Sequence, residues 1–339
     1  VAAAGGVTIS KNTISDTVTA KVTDTTLKAN VGDIAIAASS TPTTDTVAVA
    51  VALAAGIGAS AAVVTAQEDI ESNVNAFVDS SDLTASQGNL RVEATSEASV
   101  DPDVVGASVG AGSVGVIDYV ANISGSTNAY VTGANRTSAA GKIDILATDV
   151  STASPNITQV SVGLLTVGTI NVTPTISRTT QAYVGENAQL TAANHDINIK
   201  ANTESTHTNN ISQVSVGAVT IGVLNMGGTI SANTLAYVAK GADVAGKNVT
   251  VEADATPYLE ANVDQVSVSL VNVGAMSVKN NLQGSVEAYT DENAVVTATN
   301  LTVDAEMHVA ANRQHSVFTD LFYVGVGLGV DVATATSEA

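Results

Sequence analysis

An all-β, repetitive β-solenoid of the β-helix kind is the fold this sequence predicts, on three observations. Apolar residues alternate with period two along most of the 339 residues, and β-branched side chains dominate those runs. Two short motifs recur together at one spacing, which is the signature of a repeat array. The interior must be built from small side chains, because hydrophobic residues make up 45% of the chain but aromatics only 3%. That composition excludes disorder, and 27 glycines without a triplet period exclude collagen.

The first motif runs Asn75-Ala76-Phe77-Val78, Asn128-Ala129-Tyr130-Val131, Gln181-Ala182-Tyr183-Val184, Leu235-Ala236-Tyr237-Val238 and Glu287-Ala288-Tyr289-Thr290. Its alanines lie 53, 53, 54 and 52 residues apart, and a degenerate copy, Thr19-Ala20-Lys21-Val22, precedes them. The second motif follows each anchor as an alternating stretch ending in Ala, as in Ile143 to Ala147, Ile197 to Ala201 and Val249 to Ala253. A third slot is uncharged: Val160-Ser161-Val162-Gly163, Val214-Ser215-Val216-Gly217 and Val266-Ser267-Val268-Ser269. Turn residues separate these elements at Gly185-Glu186-Asn187, Ala193-Asn194-His195-Asp196, Lys240-Gly241-Ala242-Asp243 and Asp291-Glu292-Asn293.

Each repeat therefore reads as a short strand at the Ala-Tyr anchor, a second at Leu190-Thr191-Ala192, a third over Ile197 to Ala201, and a longer alternating run from Val214 to Ile230. The array divides into residues 18–72, 73–125, 126–178, 179–232, 233–284 and 285–339, with 1–17 the tail of a preceding repeat. Such a unit cannot bury its faces alone, so stacking on its neighbours must supply the core. Tandem β-sandwich or β-prism modules are the alternative, weakened by the absence of linkers between units. Uncapped ends, Val1 to Ile14 and Val324 to Ala339, predict a window of a longer polypeptide or a subunit completed end to end by the next.

The anchors Ala76, Phe77, Ala129, Tyr130, Ala182, Tyr183, Ala236, Tyr237, Ala288 and Tyr289 are expected to stack in columns, the aromatics as an internal or half-buried ladder rather than a sugar platform. Val160, Val162, Val214, Val216, Val266 and Val268 mark the uncharged slot, which is expected to be covered on both faces and to be the interface if the chain assembles. Val47 to Ala66, twenty residues without a charge, has the length of a membrane span but aligns with this slot and is read as strand.

No chemistry emerges from the motifs, and no enzyme is expected. Gly110, Gly112 and Gly115 match a dinucleotide fingerprint, but the pattern belongs to the repeat and no helix follows. His195, His207, His308 and His315 lack metal spacing and are expected in solvated loops. Asp101, Asp103 and Arg91 are the nearest approach to an acid and base constellation. Acidic turns at Asp79-Ser80-Ser81-Asp82, Asp101-Pro102-Asp103 and Asp291-Glu292 could attract Ca²⁺, yet none repeats at one phase, so no cofactor is expected. A net charge of −20 disfavours nucleic acid and anionic lipid. The chain has no cysteine, which removes disulfides and thiolate metal sites.

Taken together, the Asn/Gln-Ala-Tyr-Val, Val-Thr-Ala and Val-Ser-Val-Gly motifs resemble the repeats of very large secreted bacterial filamentous adhesins of the leukotoxin-like and haemagglutinin-like kind. The resemblance implies a bacterial, extracellular or cell-surface, fibre-like protein. A structural fibre or stalk segment is the expected role, with self-association or continuation of one long polypeptide. The alternative is a module that binds a host or neighbouring-cell ligand through its loops or tyrosines.

Overall fold

The computed structural model describes residues 2–133 and 136–338, with side chains described as far as Gly327. Val1, Ala339 and the side chains of 328–338, on which part of the uncapped-end expectation rests, lie outside that description. The fold is all-β and solenoid-like, with strands and no helix among the described residues. The chain winds in successive coils, and each strand pairs in parallel with its counterpart one coil on. Parallel stacking follows from the winding, since each turn of chain returns to a face in the same direction. Antiparallel sandwich modules would not give these ladders.

Every coil has two long faces and one short one. Ala59–Asp79, Gly112–Thr132, Leu165–Val184 and Val219–Val238 form the first long face, and at 20 or 21 residues each spans about 66 Å. The short face is a separate sheet of strands such as Asp82–Ala85, Arg136–Ala139 and Gln189–Ala192. The second long face returns over Leu90–Val100 and Asp103–Val109, Ile143–Ala153 and Asn156–Val162, and Ile197–Val216. Asn248–Thr290 covers the second face and the following first face in one run of 43 residues. Two long faces thus lie against each other, bridged at one end by the short face and meeting at the other in a tight corner.

These strands are longer than the sequence motifs suggest. The Ala-Tyr anchor is the last part of a long strand, and the Ile197 motif is the first part of another. The alternating run from Val214 to Ile230 is divided by the corner at Gly217-Ala218, which ends one long face and begins the next. Alternation continues across such a corner and hides it. Val47 to Ala66 likewise runs as Val47–Leu53, a turn, and the start of Ala59–Asp79.

The turn after each anchor needs a residue in the left-handed region, and Asp24, Ser80, Gly133, Asn187, Gly241 and Asn293 fill it at φ between 47° and 82°. Gly, Asn and Asp tolerate that conformation, so the sequence turns sharply there. Beyond this turn the interior is apolar. Anchors Ala76, Ala129, Ala182 and Ala236 are fully buried and pair as Ala76 with Ala129, Ala129 with Ala182, Ala182 with Ala236, and Ala236 with Ala288. Leu83, Leu90, Ile143, Ile145, Leu190, Ile197 and Ile199 complete this core, each worth roughly 1.5–3 kcal/mol when fully buried.

A second apolar cluster, including Ile70, Ile117, Ile123, Ile170 and Ile176, fills the middle of the coils. Between the two clusters lies a polar belt centred on Arg178, which is fully buried with Asp149. Arg178 donates through Nε to Asp149 Oδ2 at 2.9 Å, and through its terminal nitrogens to the Ser72 and Ser124 carbonyls, Ser96 Oγ and Thr127 Oγ1. Gly125, at φ +114° and paired with both Ser72 and Arg178, makes room for this: a Cβ there would lie 2.8 Å from Arg178 Nη1.

Candidate functional site

At the corner opposite the short face, the polarity of the coil is inverted. Ser108, Gln159, Ser161, Gln213, Ser215, Gln265 and Ser267 point inward and are buried. Gln213 Nε2 donates to Gln159 Oε1 at 2.7 Å, and Gln265 Nε2 to Gln213 Oε1 at 2.7 Å, so the side-chain amides form a ladder along the stacking direction. Of the fingerprint-like glycines, Gly115 serves this ladder, as do its counterparts Gly168 and Gly222. A Cβ on Gly168 would meet Gln159 Oε1 at 2.7 Å and Gln213 Nε2 at 2.8 Å, and Gly115 and Gly222 face the same amides.

Outward, the same strands carry valine columns. Register places Ala107, Val160, Val214, Val266 and Val324 in one column and Val109, Val162, Val216, Val268 and Val326 in the next. Val216 is 36% and Val268 41% exposed. Across the corner stand Leu164, Leu165, Leu270, Val271 and Val273, all exposed or nearly half so. The expectation that this slot is covered on both faces is therefore corrected: within one chain only the inward face is covered, and the interior there is polar. Period-two alternation identifies two faces without saying which one points in. In the coils of Gln159, Gln213 and Gln265, Ser and Gln take the inside and Val the outside, while in the coil of Val47 the inside is Ala48, Ala50 and Ala52.

The aromatic anchors stack as expected of a ladder, half-buried on the outer surface. Ring centroids from Phe77 through Tyr130, Tyr183 and Tyr237 to Tyr289 are 4.6–5.0 Å apart, with planes within 5°. Burial pushes the Tyr237 hydroxyl up to about 12 and raises those of Tyr130, Tyr183 and Tyr289, neighbouring tyrosines or carboxylates adding to the effect. Stacking on both sides occupies the π faces of Tyr130, Tyr183 and Tyr237.

His207 corrects a second expectation. It lies inside the second long face, fully buried, with Nδ1 3.1 Å from the Ala153 carbonyl and Nε2 2.6 Å from Asn209 Nδ2. Asn209 donates to Nε2, so Nδ1 carries the proton and donates to the carbonyl. Burial pushes its pKa down to about 4. His195 and His315 are exposed, and His308 sits 3.3 Å from Asp254 and 2.9 Å from Glu306.

One coil departs from the others. Ala255 pairs with Met307 and Leu259 with Val317, so nine residues, 308–316, stand opposite the three of 256–258. The extra loop forms a cleft of about 320 Å³ with Tyr258, Glu260, Arg313, His315 and Phe318 in its walls. Arg313 covers the Tyr258 ring at 4.3 Å and pairs with Glu260 at 3.3 Å, while Tyr258 donates to Glu260 at 2.6 Å. Its charged groups thus satisfy one another.

The candidate chemical residues do not converge. Arg91 pairs with Glu93, and Asp103 accepts from Asn156 at 3.0 Å. The acidic pair Asp79 and Asp82 flanks a turn in which Ser81 donates to the Asp79 carbonyl at 2.8 Å. Among the described residues no three His, Asp or Glu side chains converge on a point that could hold a metal. No described helix is long and apolar enough to cross a membrane.

The fold and this corner define an all-β, solenoid-like protein with a polar-lined, apolar-surfaced edge. Compared with protein families, characterised proteins and solved structures, the chain finds no match.

Proposed function

We propose that this chain is a structural, non-catalytic segment of an extracellular bacterial fibre, stalk or filamentous adhesin, wound from repeats of about 53 residues. The observation that carries the reading is the outward apolar face at the corner, repeated on successive coils. Cross-strand packing of the valine columns steadies the sheet even in water, and with exposed Leu164, Leu165 and Leu270 beside them the surface forms a contiguous apolar patch of the kind that marks interaction sites. The anchor registers, Ala76 to Ala129 to Ala182, support the repeat length. Lateral association through Val160, Val162, Val214, Val216, Val266 and Val268 then sets rods side by side in pairs.

Electron microscopy of the purified chain tests this. Rods paired side by side are expected, and Val216→Asp, which puts a carboxylate on the outer column, should separate the pairs without unfolding the chain. Isolated particles at every concentration, with the same appearance in the variant, would sink the reading. A second reading, a ligand-binding module, is favoured by the inserted loop at 308–316, since a specific site is expected to break the repeat at one coil. The tyrosine ladder supports it less, because its inner π faces are occupied.

A further inference from the structure

We infer that the apolar corner is a self-complementary zipper that pairs two copies of this chain about a two-fold axis perpendicular to the stacking direction. The inference rests on the lateral association proposed above. It starts from the residues at the tip of the corner, which are joined coil to coil by backbone bonds: Leu164 N–H to the Ala111 carbonyl at 2.9 Å, Ala218 N–H to Leu164 at 2.9 Å, and Leu270 N–H to Ala218 at 3.0 Å. The column therefore alternates Ala, Leu, Ala, Leu. Leu164 is 65% and Leu270 50% exposed, so two knobs about 9.6 Å apart flank the small side chain of Ala218. Over Ala218 opens a concavity of about 530 Å³ with almost wholly apolar walls.

A surface with that alternation is complementary to itself displaced by one coil. A two-fold axis passing between the coils of Leu164 and Ala218 achieves this displacement. It sets Leu164 against the partner's Ala218 and Leu270 against the partner's Ala111, and reciprocally. A parallel pair in register would set Leu on Leu and leave the alanines facing a gap. The contact is isologous, so it closes as a dimer.

Charge selects the same occupant. Copies of a chain carrying −20 repel wherever carboxylates meet, and the strips Val160 to Ile176, Val214 to Ile230 and Val266 to Val278 contain no charged side chain. With the axis between the coils of Leu164 and Ala218, four coils of the strip meet four of the partner's, about 19 Å by about 25 Å, which offers about 480 Å² per copy or about 960 Å² in all, the size of a small, weak interface.

Sedimentation of the chain and three variants tests the geometry. Ala218→Leu should weaken dimerisation at least about tenfold, because a knob then meets a knob. Adding Leu164→Ala to the same chain should restore it, since the knob and the hole have changed places. Unchanged thermal midpoints for both variants are expected at so exposed a corner. If Ala218→Leu dimerises as tightly as the parent, or more tightly, the attraction is merely apolar and the zipper is wrong. Should Val216→Asp dissociate the dimer while Ala218→Leu does not, the lateral reading stands and only the pairing geometry falls. A parent that stays monomeric and floats with phosphatidylcholine vesicles would overturn both, making the corner a lipid-facing edge.

Discussion

The two ends of each coil use the same alternation with opposite sign. At the short-face end, Ala182, Val184, Leu190 and Ile197 point inward, and tyrosines and polar side chains point out. At the corner, Gln213 and Ser215 point inward and Val214 and Val216 point out. The first end is an ordinary apolar core whose stability comes from area removed from water. The second carries a hydrogen-bonded amide ladder, Gln159 to Gln213 to Gln265, beside buried hydroxyls such as Ser215 and Ser267 that make no hydrogen bond. Its stability leans on the ladder, where a buried amide without a partner costs about 1–3 kcal/mol.

The largest effect should come from the belt between the two regions. Arg178→Leu leaves Asp149 buried without its cation, at a cost of about 3–5 kcal/mol in denaturant unfolding. Removing both charges in Arg178→Leu with Asp149→Leu should recover part of that loss. If the single variant were as stable as the parent, the belt would have to be wetter than the burial of both side chains indicates.

Acid sharpens the comparison next. In the unfolded chain His207 takes up a proton near its ordinary value of 6.5, whereas the folded chain refuses it until about pH 4. Stability should therefore fall as pH drops through 6.5 and level off near 4, by on the order of 3 kcal/mol. Denaturant melts at several pH values should show that slope in the parent and a shallower one in His207→Asn, whose amide nitrogen takes the place of Nδ1 as donor to the Ala153 carbonyl. Identical slopes would place the titration elsewhere.

A pair of leucines compares the two interiors directly. Gln213→Leu interrupts the amide ladder and strands the side chains of Gln159 and Gln265, costing about 1–3 kcal/mol for each orphaned group. Ala182→Leu adds volume to a full apolar core and should cost about 1–3 kcal/mol by overpacking. Thermal melts should rank the glutamine change as the more damaging. The reverse order would mean that the corner interior is held by packing after all.

The smallest effect belongs to the outer ladder. Tyr237→Ala removes two stacked contacts, each worth about 0.5–1.5 kcal/mol beyond area, on a half-exposed surface. Tyr237→Phe should be nearly neutral, because the stacking remains. A large loss with Phe would assign the hydroxyl a role that the stack does not show.

Much of the fold was legible in the sequence because its chemistry is local. Period two marks strands, and the Asn, Asp and Gly turns mark where they end, so anchors, turns and stacking could all be read. The corner was not legible as a corner, since Val214 to Ile230 alternates straight through Gly217-Ala218. Its inversion was hidden because alternation carries no sign. The glutamines were present in a recurring Gln-Val-Ser-Val, and had they been read as inward they would have revealed the ladder. His207 sits among Thr and Asn, and Arg178 among Ser and Thr, neighbours that read as solvated; only three-dimensional packing tells a polar interior from a polar surface.

Arg178 also bears on how the chain comes apart. Its bonds reach Ser72 and Ser96 in one coil and Ser124, Thr127 and Asp149 in the next, while Arg178 itself belongs to a third. Stacked coils otherwise touch only their neighbours, so such molecules can open from the ends inward. A side chain that ties three coils makes the stretch from Ser72 to Arg178 a single cooperative block. Amide protons there should exchange last, after fraying has spread through the coils on either side.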